Sequence, residues 1–147
     1  MDIAYKDVLF DIIVNNINLG IAIVNKDGFF IYYNNVMGEI EGLDKEDVLG
    51  KHIFEVYPSF NKKNSTLYNC LNVGMPIYND LQNYINGKGR KIFSMVTNIP
   101  IKIEDEIVGA IEIAKDVDKD GKTYRSVDNW LNKPKMKNSN DYKINTN

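Results

Sequence analysis

The residues whose spacing most resembles a metal site are alternating aspartates that follow the last apolar segment. They are Asp116, Asp118 and Asp120, followed by Gly121. Alternate carboxylates before a glycine turn resemble the first half of a calcium-binding loop. The glutamate that would close the loop is absent, because Val127 occupies its position and Asp128 comes one residue late. The preceding segment also has the pattern of a strand, so we predict an acidic turn and no metal site.

A second stretch with possible chemistry is Gly87-Lys-Gly89-Arg-Lys91, where backbone amides and cations could hold a phosphate. It lacks a third glycine and joins two β-rich segments, so a hairpin turn is the preferred interpretation. The chain contains no Ser-His-Asp set and no paired carboxylates at helical spacing in an apolar setting. We therefore predict no catalytic residues, no enzyme activity and no cofactor.

The composition bounds the class of protein. The chain has 147 residues, of which 44% are hydrophobic, with one cysteine and a net charge of -2. The charge argues against direct nucleic-acid contact, and a single cysteine fits a reducing cytoplasm. Charged residues near the start and the lack of a long apolar run predict no signal peptide and no membrane contact. We expect a cytoplasmic protein.

The elements that would position functional residues follow from apolar periodicity and capping residues. We predict a helix over 5–16, strands over 20–25 and 29–34, helical turns over 35–57, a helix from Asn64 or Ser65 to Gly74, and strands over 77–85, 91–103 and 107–117. Asn34 suits the corner after the second strand, because its side chain can bond the nearby backbone. Asp44 is placed to cap the next turn, and Gly109 indicates close packing against its backbone.

The stretch after the second strand resembles a PAS sensory domain. The residues that carry the resemblance are Asn34, Gly42, the run Asp44–Gly50 and the segment Ile53–Pro58. The resemblance spans residues 8 to 117, and departs at Asn35, where proline is common, and at Leu43, where an aromatic is common. It implies an α+β fold with a five-stranded antiparallel sheet, short helices on one face, an N-terminal helix and a ligand-sized interior. The implied divisions are a helix over 1–18, a PAS domain over 19–117 and a polar tail over 118–147.

A narrower resemblance lies in three segments: Ser65-Thr-Leu67 with Leu71, Gly74 and Pro76, then Thr97–Ile101, then Val108–Asp116. These segments are similar to the N-terminal PAS domain of sigma-54-dependent transcriptional activators of the arginine-utilisation type. In that family an ATPase domain and a helix-turn-helix follow, and no phosphate loop for such an ATPase is present here. The resemblance therefore implies a piece of a longer regulator. The polar tail would be the linker, with Trp130 and Leu131 as its one apolar anchor.

The interior that the resemblance implies gives a set of candidate ligand-binding residues. They are Tyr32, Phe54, Tyr57, Leu67, Leu71, Tyr84, Met95 and Thr97. Ligand pockets are mostly apolar with a few polar groups, and this set suits a small metabolite such as an amino acid. It also assumes that the alternating residues Phe93 to Ile103 face the Leu67 helix. The same residues could instead simply fill the core.

Two single residues, Cys70 and His52, are of types that can bind a cofactor. Flavin-binding PAS light sensors bond the flavin through a cysteine, but only the pair Asn69-Cys70 agrees with their motif, so Cys70 is interpreted as a small core residue. Haem-binding PAS domains use a histidine near the cavity. His52 lies well before the Leu67 helix, so a histidine in solvent or bonded to the backbone is favoured.

The N-terminal helix carries an apolar stripe made of Tyr5, Val8, Leu9, Ile12 and Ile13, which Phe10 broadens. Since PAS domains commonly pair through such a helix, a homodimer contact is favoured over packing within the domain. The favoured function is a sensory domain that controls a transcriptional activator through a small effector. A ligand-free dimerisation module, or a flavin- or haem-based sensor, are the alternatives.

Overall fold

The computed structural model describes residues 2–123 of the chain. The predicted tail anchor at Trp130 and Leu131, and positions 127 and 128 at the end of the calcium-loop pattern, lie outside the described residues. The helices are α1 (Ile3–Asn16), α2 (Asn35–Glu41), α3 (Ile53–Val56) and α4 (Thr66–Val73), with a 3-10 turn at Lys45–Asp47. The strands are β1 (Gly20–Asn25), β2 (Phe30–Tyr33), β3 (Ile77–Ile85), β4 (Lys91–Ile103) and β5 (Glu106–Asp116).

The five strands form one antiparallel sheet in the order β2-β1-β5-β4-β3. The short helices α2 to α4 pack on one face of this sheet, and the buried core lies between them. The α+β fold predicted from the sequence is therefore confirmed. The last strand, β5, is the central strand and pairs with both β1 and β4.

Asn34 organises the corner at which α1, β1, β2 and α2 meet. Its Oδ1 accepts hydrogen bonds from the backbone amides of Ile21 and Met37, both at 2.9 Å. Its Nδ2 donates to the carbonyl oxygens of Val14 at 2.9 Å and Leu19 at 3.0 Å. The side chain is fully buried, and every hydrogen-bonding direction of its amide is used. The corner predicted at Asn34 is confirmed, and it also connects the N-terminal helix to the sheet.

Local capping fixes the other helix ends. The α4 cap that the sequence left open is Ser65, whose Oγ accepts a hydrogen bond from the amide of Tyr68 at 3.1 Å. In the 3-10 turn, the Asp47 carboxylate accepts from the amide of Asp44 at 2.9 Å, as a reciprocal cap requires.

At Gly109 of β5, an added Cβ atom would overlap the carbonyl oxygen of Val24, so the predicted close packing is confirmed.

The orientation predicted for β4 is wrong. Its buried residues are Ile92, Ser94, Val96 and Asn98, and these face the helices. Met95 and Thr97 are half-buried on the opposite, outer face of the sheet. The alternating pattern predicted the wrong face because the outer face of the sheet is also apolar. Helix α1 covers part of this face, where the ring centroids of Phe10 and Tyr32 lie 5.2 Å apart.

Candidate functional site

An enclosed cavity lies between the sheet and the short helices. Its walls come from α2, α3, α4, β3, β4, β5 and the segment between α3 and α4. The apolar part of the lining includes Met37, Ile40, Ile53, Leu67, Val96 and Ala114, and the polar part includes Glu41, Tyr57, Ser65, Gln82, Tyr84, Ser94 and Glu112. The free volume is about 10 Å³, which is room for about one water molecule. The interior is thus almost filled, and its polar groups decide what it can bind.

Glu41 is the most deeply placed charged group of the cavity, with 2% of its surface exposed. Its Oε1 accepts hydrogen bonds from the hydroxyls of Tyr33 and Tyr57, both at 2.7 Å, and its Oε2 accepts from the hydroxyl of Tyr84. Burial raises the pKa of Glu41, whereas the three phenol donors act to lower it. A carboxylate that accepts three hydroxyls in an apolar setting is a satisfied buried group.

The same cluster determines the chemistry of the tyrosines. Burial, followed by the nearby Glu41 charge, raises the pKa of Tyr57 and Tyr84 well above the ordinary value of 10.0. These phenols therefore stay protonated and serve as hydrogen-bond donors. Glu41 is held beside these phenols because it is the last residue of α2. Gly42 ends the helix with a left-handed φ of 68°, and Asn86 Nδ2 donates to the backbone carbonyl of Glu41 at 2.7 Å.

Glu112 enters the cavity from the central strand β5 and is 7% exposed. Asn98 Nδ2 donates to its Oε1 across 3.3 Å, which is long for a hydrogen bond. Burial, followed by the charge of Glu41, raises the pKa of Glu112 to about 8. The Oδ1 atom of Asn98 has no hydrogen-bond partner among the described residues, although it is buried. The two glutamates therefore differ: Glu41 is fully bonded and Glu112 is not.

The comparisons with known proteins place this arrangement in a family. The profile of the PAS domain family matches residues 18–119. The chain belongs to the PAS domain family.

The relatives of this PAS domain are regulators. It is 38% identical to the transcriptional activator RocR of Bacillus subtilis over 118 residues. The matched region covers 80% of this chain and 26% of RocR. It is 34% identical over 115 residues to a probable C4-dicarboxylate sensor kinase of Halalkalibacterium halodurans, covering 78% of this chain and 20% of the kinase. The chain thus spans about a quarter or less of these relatives. The sequence-based resemblance to an activator's PAS domain is confirmed.

Solved structures show the same fold. The PAS domain of a protein from Colwellia psychrerythraea matches with a TM-score of 0.63 at 18% identity, covering 79% of this chain and 98% of that one. At this identity the likeness concerns the fold alone. The family is a sensory module, and its relatives here are an activator and sensor kinases.

The PAS domain brings together only part of the predicted ligand-binding set. Tyr57, Leu67 and Tyr84 line the cavity. Leu71 is buried in the adjoining core, and Phe54 is half-buried with its ring 5.0 Å from that of Tyr68. Tyr32, Met95 and Thr97 lie on the outer face, away from the cavity.

The sequence interpretation missed both glutamates. In β5, Glu112 stands between Ala110 and Ala114, two small inward-facing residues, within the apolar stretch from Ile107 to Ala114. In α2, Glu41 follows Met37 by one helical turn, on the buried side. A carboxylate at an inward position of an apolar pattern is therefore the signal that would have found them.

The other single residues have structural roles within the described part of the chain. Cys70 is buried in the hydrophobic core, does not line the cavity, and burial raises the pKa of its thiol. His52 caps α3, since its Nδ1 accepts from the amide of Phe54 at 3.1 Å. Asp118 Oδ1 accepts from the amides of Asp120 and Lys122, both at 2.9 Å, so this carboxylate stabilises its own turn.

The predicted dimer residues lie on α1. Tyr5, Val8, Ile12 and Ile13 are exposed and Leu9 is half-buried, while Val14 is the buried residue of this helix. In the part of the chain that the structure describes, no helix is long and apolar enough to cross a membrane. Over the same residues, no group of three or more metal-binding side chains is found.

Proposed function

We propose that this PAS domain is the sensory part of a cytoplasmic, sigma-54-dependent transcriptional activator that responds to a small-molecule effector. The observation that supports the proposal is the pair of buried carboxylates, Glu41 and Glu112, that line one enclosed cavity. Burying a carboxylate is costly, and a core that serves only for stability would be better filled by apolar side chains. Polar groups that converge on an interior cavity are typical of ligand sites.

The route from the cavity to an effector domain would be β5. Glu112 is on this strand, four residues before Asp116, at which β5 ends. The strand bonds to β1 and β4 along most of its length, so a shift at Glu112 is carried by paired backbone. RocR is a longer protein, of which this chain matches 26%. The downstream partner would be the ATPase domain of such an activator.

A ligand changes the output only if it binds two states of the domain with different affinity. The homodimer formed by α1 would supply these states, because a change in the sheet alters how two copies face each other. The exposed apolar residues of α1 favour such pairing.

A second candidate function is a dimerisation module without a ligand. The cavity of about 10 Å³ favours it, since most metabolites need the interior to open before they can enter. The two functions differ in one measurable property, which is whether any small molecule stabilises the folded domain.

The test is a thermal-shift screen of a metabolite library on the full chain, repeated on Ser94→Leu, which fills the cavity. The control is Thr97→Leu on the outer face of the same strand. The sensory function predicts at least one compound that raises the Tm of the wild type and of Thr97→Leu, and has no effect on Ser94→Leu. A library without any stabilising compound would leave the dimerisation module as the better account.

A further inference from the structure

Asn98 and Glu112 form a buried polar pair whose hydrogen bonding is incomplete. They are cross-strand partners on β4 and β5, and both side chains are buried. Asn98 Nδ2 lies 3.3 Å from Glu112 Oε1, whereas Asn98 Oδ1 accepts no hydrogen bond from any residue within 2–123. Since a carboxylate has no proton to donate, an ionised Glu112 leaves this acceptor unsatisfied, which is costly at a buried site.

One added proton would complete the hydrogen bonding of the pair. A neutral carboxyl group has one O–H donor and one carbonyl acceptor, and a carboxamide has the matching acceptor and donors. Neutral Glu112 can therefore accept from Asn98 Nδ2 and donate to Asn98 Oδ1 at the same time. The two side chains would then form a ring of two hydrogen bonds between β4 and β5, and neither would be charged.

The surroundings of the two buried carboxyl groups assign the proton to Glu112 and the charge to Glu41. Glu41 accepts from the hydroxyls of Tyr33, Tyr57 and Tyr84, and donors of this kind favour the charged form. Glu112 instead has one amide donor at a long distance, and beside it an amide oxygen that repels a carboxylate. The charge of Glu41 also favours a neutral neighbour.

We propose that Glu112 and Asn98 form a proton-binding site through which the domain responds to alkaline pH. With the proton bound, the two side chains join β4 to β5. Loss of the proton to solvent water breaks the O–H bond to Asn98 Oδ1 and places a second negative charge near Glu41. This site does not require the proposed effector, because it involves only residues of the domain and a proton.

The free volume beside Glu112 explains why loss of the proton would change the structure. An ionised carboxylate needs several donors, and the cavity has about 10 Å³ of free space, which is room for about one water molecule. Hydration of the charged Glu112 therefore requires the packing around it to open. Because Glu112 pairs with Ala22 of β1 as well as with Asn98 of β4, the opening would affect the centre of the sheet.

The pH range of the response follows from the pKa of Glu112. Burial, followed by the charge of Glu41, raises this pKa from the ordinary value of 4.5 to about 8. Glu112 is therefore mostly neutral below about pH 7 and mostly charged above about pH 9.

The other titratable groups packed around Glu112 do not account for a transition in this range. They are Glu41 on α2, Tyr33 on β2, Tyr57 after α3, Cys70 on α4, Tyr84 on β3 and, at the end of its own strand, Asp116. Burial raises the pKa of the three phenols and of the thiol, so these groups keep their protons. Strand β1 contains no titratable residue, and the lysines of β4 are exposed near its two ends.

The test is a pH titration by NMR spectroscopy of the isotope-labelled full chain. We expect one glutamate carboxyl carbon to titrate near pH 8, and the side-chain amide of Asn98 to shift with the same midpoint. Glu112→Gln should abolish both transitions. The matched control is Glu106→Gln, at the exposed start of β5, which should keep both.

Amide hydrogen exchange gives a second readout. After correction for the intrinsic effect of pH, the amides of β4 and β5 near the pair should exchange at least about tenfold faster at about pH 9 than at about pH 6. Glutamine has a donor and an acceptor, as the neutral acid has, so Glu112→Gln should stay protected at both pH values.

The results decide the proton site separately from the sensory function. If the transition near pH 8 survives in Glu112→Gln, or if Asn98 does not shift together with Glu112, the site is overturned. The Asn98 readout is made on the wild type, so it decides the matter even where Glu112→Gln fails to fold. The metabolite screen tests the sensory function whichever result is obtained.

Discussion

Asn98 and Glu112 lie directly opposite each other on β4 and β5, with Asn98 Nδ2 3.3 Å from Glu112 Oε1. Cross-strand partners on the buried face of a sheet are usually apolar, and here both are polar. The pair lies on β4 and β5, the two longest strands of the domain, and Glu112 also lines the cavity. We therefore expect the protonation of Glu112 to affect the stability of the whole sheet.

The first prediction concerns the pH dependence of stability. The pKa of Glu112 is about 8 in the folded state against an ordinary value of 4.5, so between these values unfolding releases a proton. The stabilising contribution of neutral Glu112 is fully present below pH 4.5 and lost as the pH rises through 8. Relative to Glu112→Gln, the free energy of unfolding of the wild type should fall by up to about 1.4 kcal/mol per pH unit. Urea titrations from pH 5 to 9 measure this; parallel curves would contradict it.

The second prediction concerns the tyrosines that bond Glu41. Tyr84→Phe removes a hydroxyl that donates to a buried carboxylate and should cost about 1–3 kcal/mol of unfolding free energy, because Glu41 loses one of its three hydroxyl donors. In a double-mutant cycle with Glu41→Gln, the two changes should be non-additive by more than about 0.5 kcal/mol. Tyr78→Phe, at an exposed position of β3, the strand that also holds Tyr84, is the control and should change stability very little.

The third prediction concerns the corner at Asn34. Asn34→Ala removes four hydrogen bonds from a buried site and should destabilise the domain by about 3 kcal/mol. Asn34→Asp keeps the acceptor for Ile21 and Met37 but loses the donor to Val14 and Leu19, so it should also be destabilising. The neighbouring, exposed Asn35→Ala should leave the Tm nearly unchanged. Equal Tm values for Asn34→Ala and Asn35→Ala would show that the corner contributes little.

The fourth prediction concerns the single histidine. His52→Ala should cost about 1 kcal/mol, since the first turn of α3 loses its side-chain cap. His52→Asn should restore most of this loss, because an asparagine oxygen can accept the same amide. Chemical denaturation of the three proteins is the measurement. If asparagine destabilises as much as alanine does, the ring contacts of His52 with Phe29 and Phe54 are its main contribution.

The fifth prediction concerns self-association. Val8→Glu with Ile12→Glu places two charges on the exposed stripe of α1 and should shift a dimer to monomer in sedimentation velocity, with an unchanged Tm for the monomer. Val73→Glu, at an exposed apolar position at the end of α4, serves as the control and should not alter the sedimentation coefficient. A wild-type chain that is monomeric at all concentrations would contradict pairing through α1.

The fold was predictable because its strongest signals are local. Turn and cap residues such as Asn34, Ser65 and Gly74 fix where elements begin and end, and the bounds of β1, β3 and β4 agree with the sequence prediction. Gly109 also revealed the close approach of β1 and β5. These features depend on the backbone conformation of a few adjacent residues.

The site was harder to predict because it depends on which face of each strand turns inward. In β4 the larger apolar residues, including Met95, lie outside, and the smaller Ser94 lines the cavity. A rule that places the most apolar face inside therefore chose the wrong face. The hydrogen bond between Glu41 and Tyr84 joins residues 43 positions apart, and no local pattern indicates such a contact.

The position of β5 has a consequence for biosynthesis. This strand is the last one within residues 2–123, yet it lies in the middle of the sheet, where Ala114 pairs with Gly20 of the first strand. While the chain is emerging from the ribosome, β1–β2 and β3–β4 can form only as separate hairpins with unpaired edges. The domain must therefore acquire its core in one late step, after translation has passed residue 116, and until then its edges are open to chaperones or to a second nascent copy.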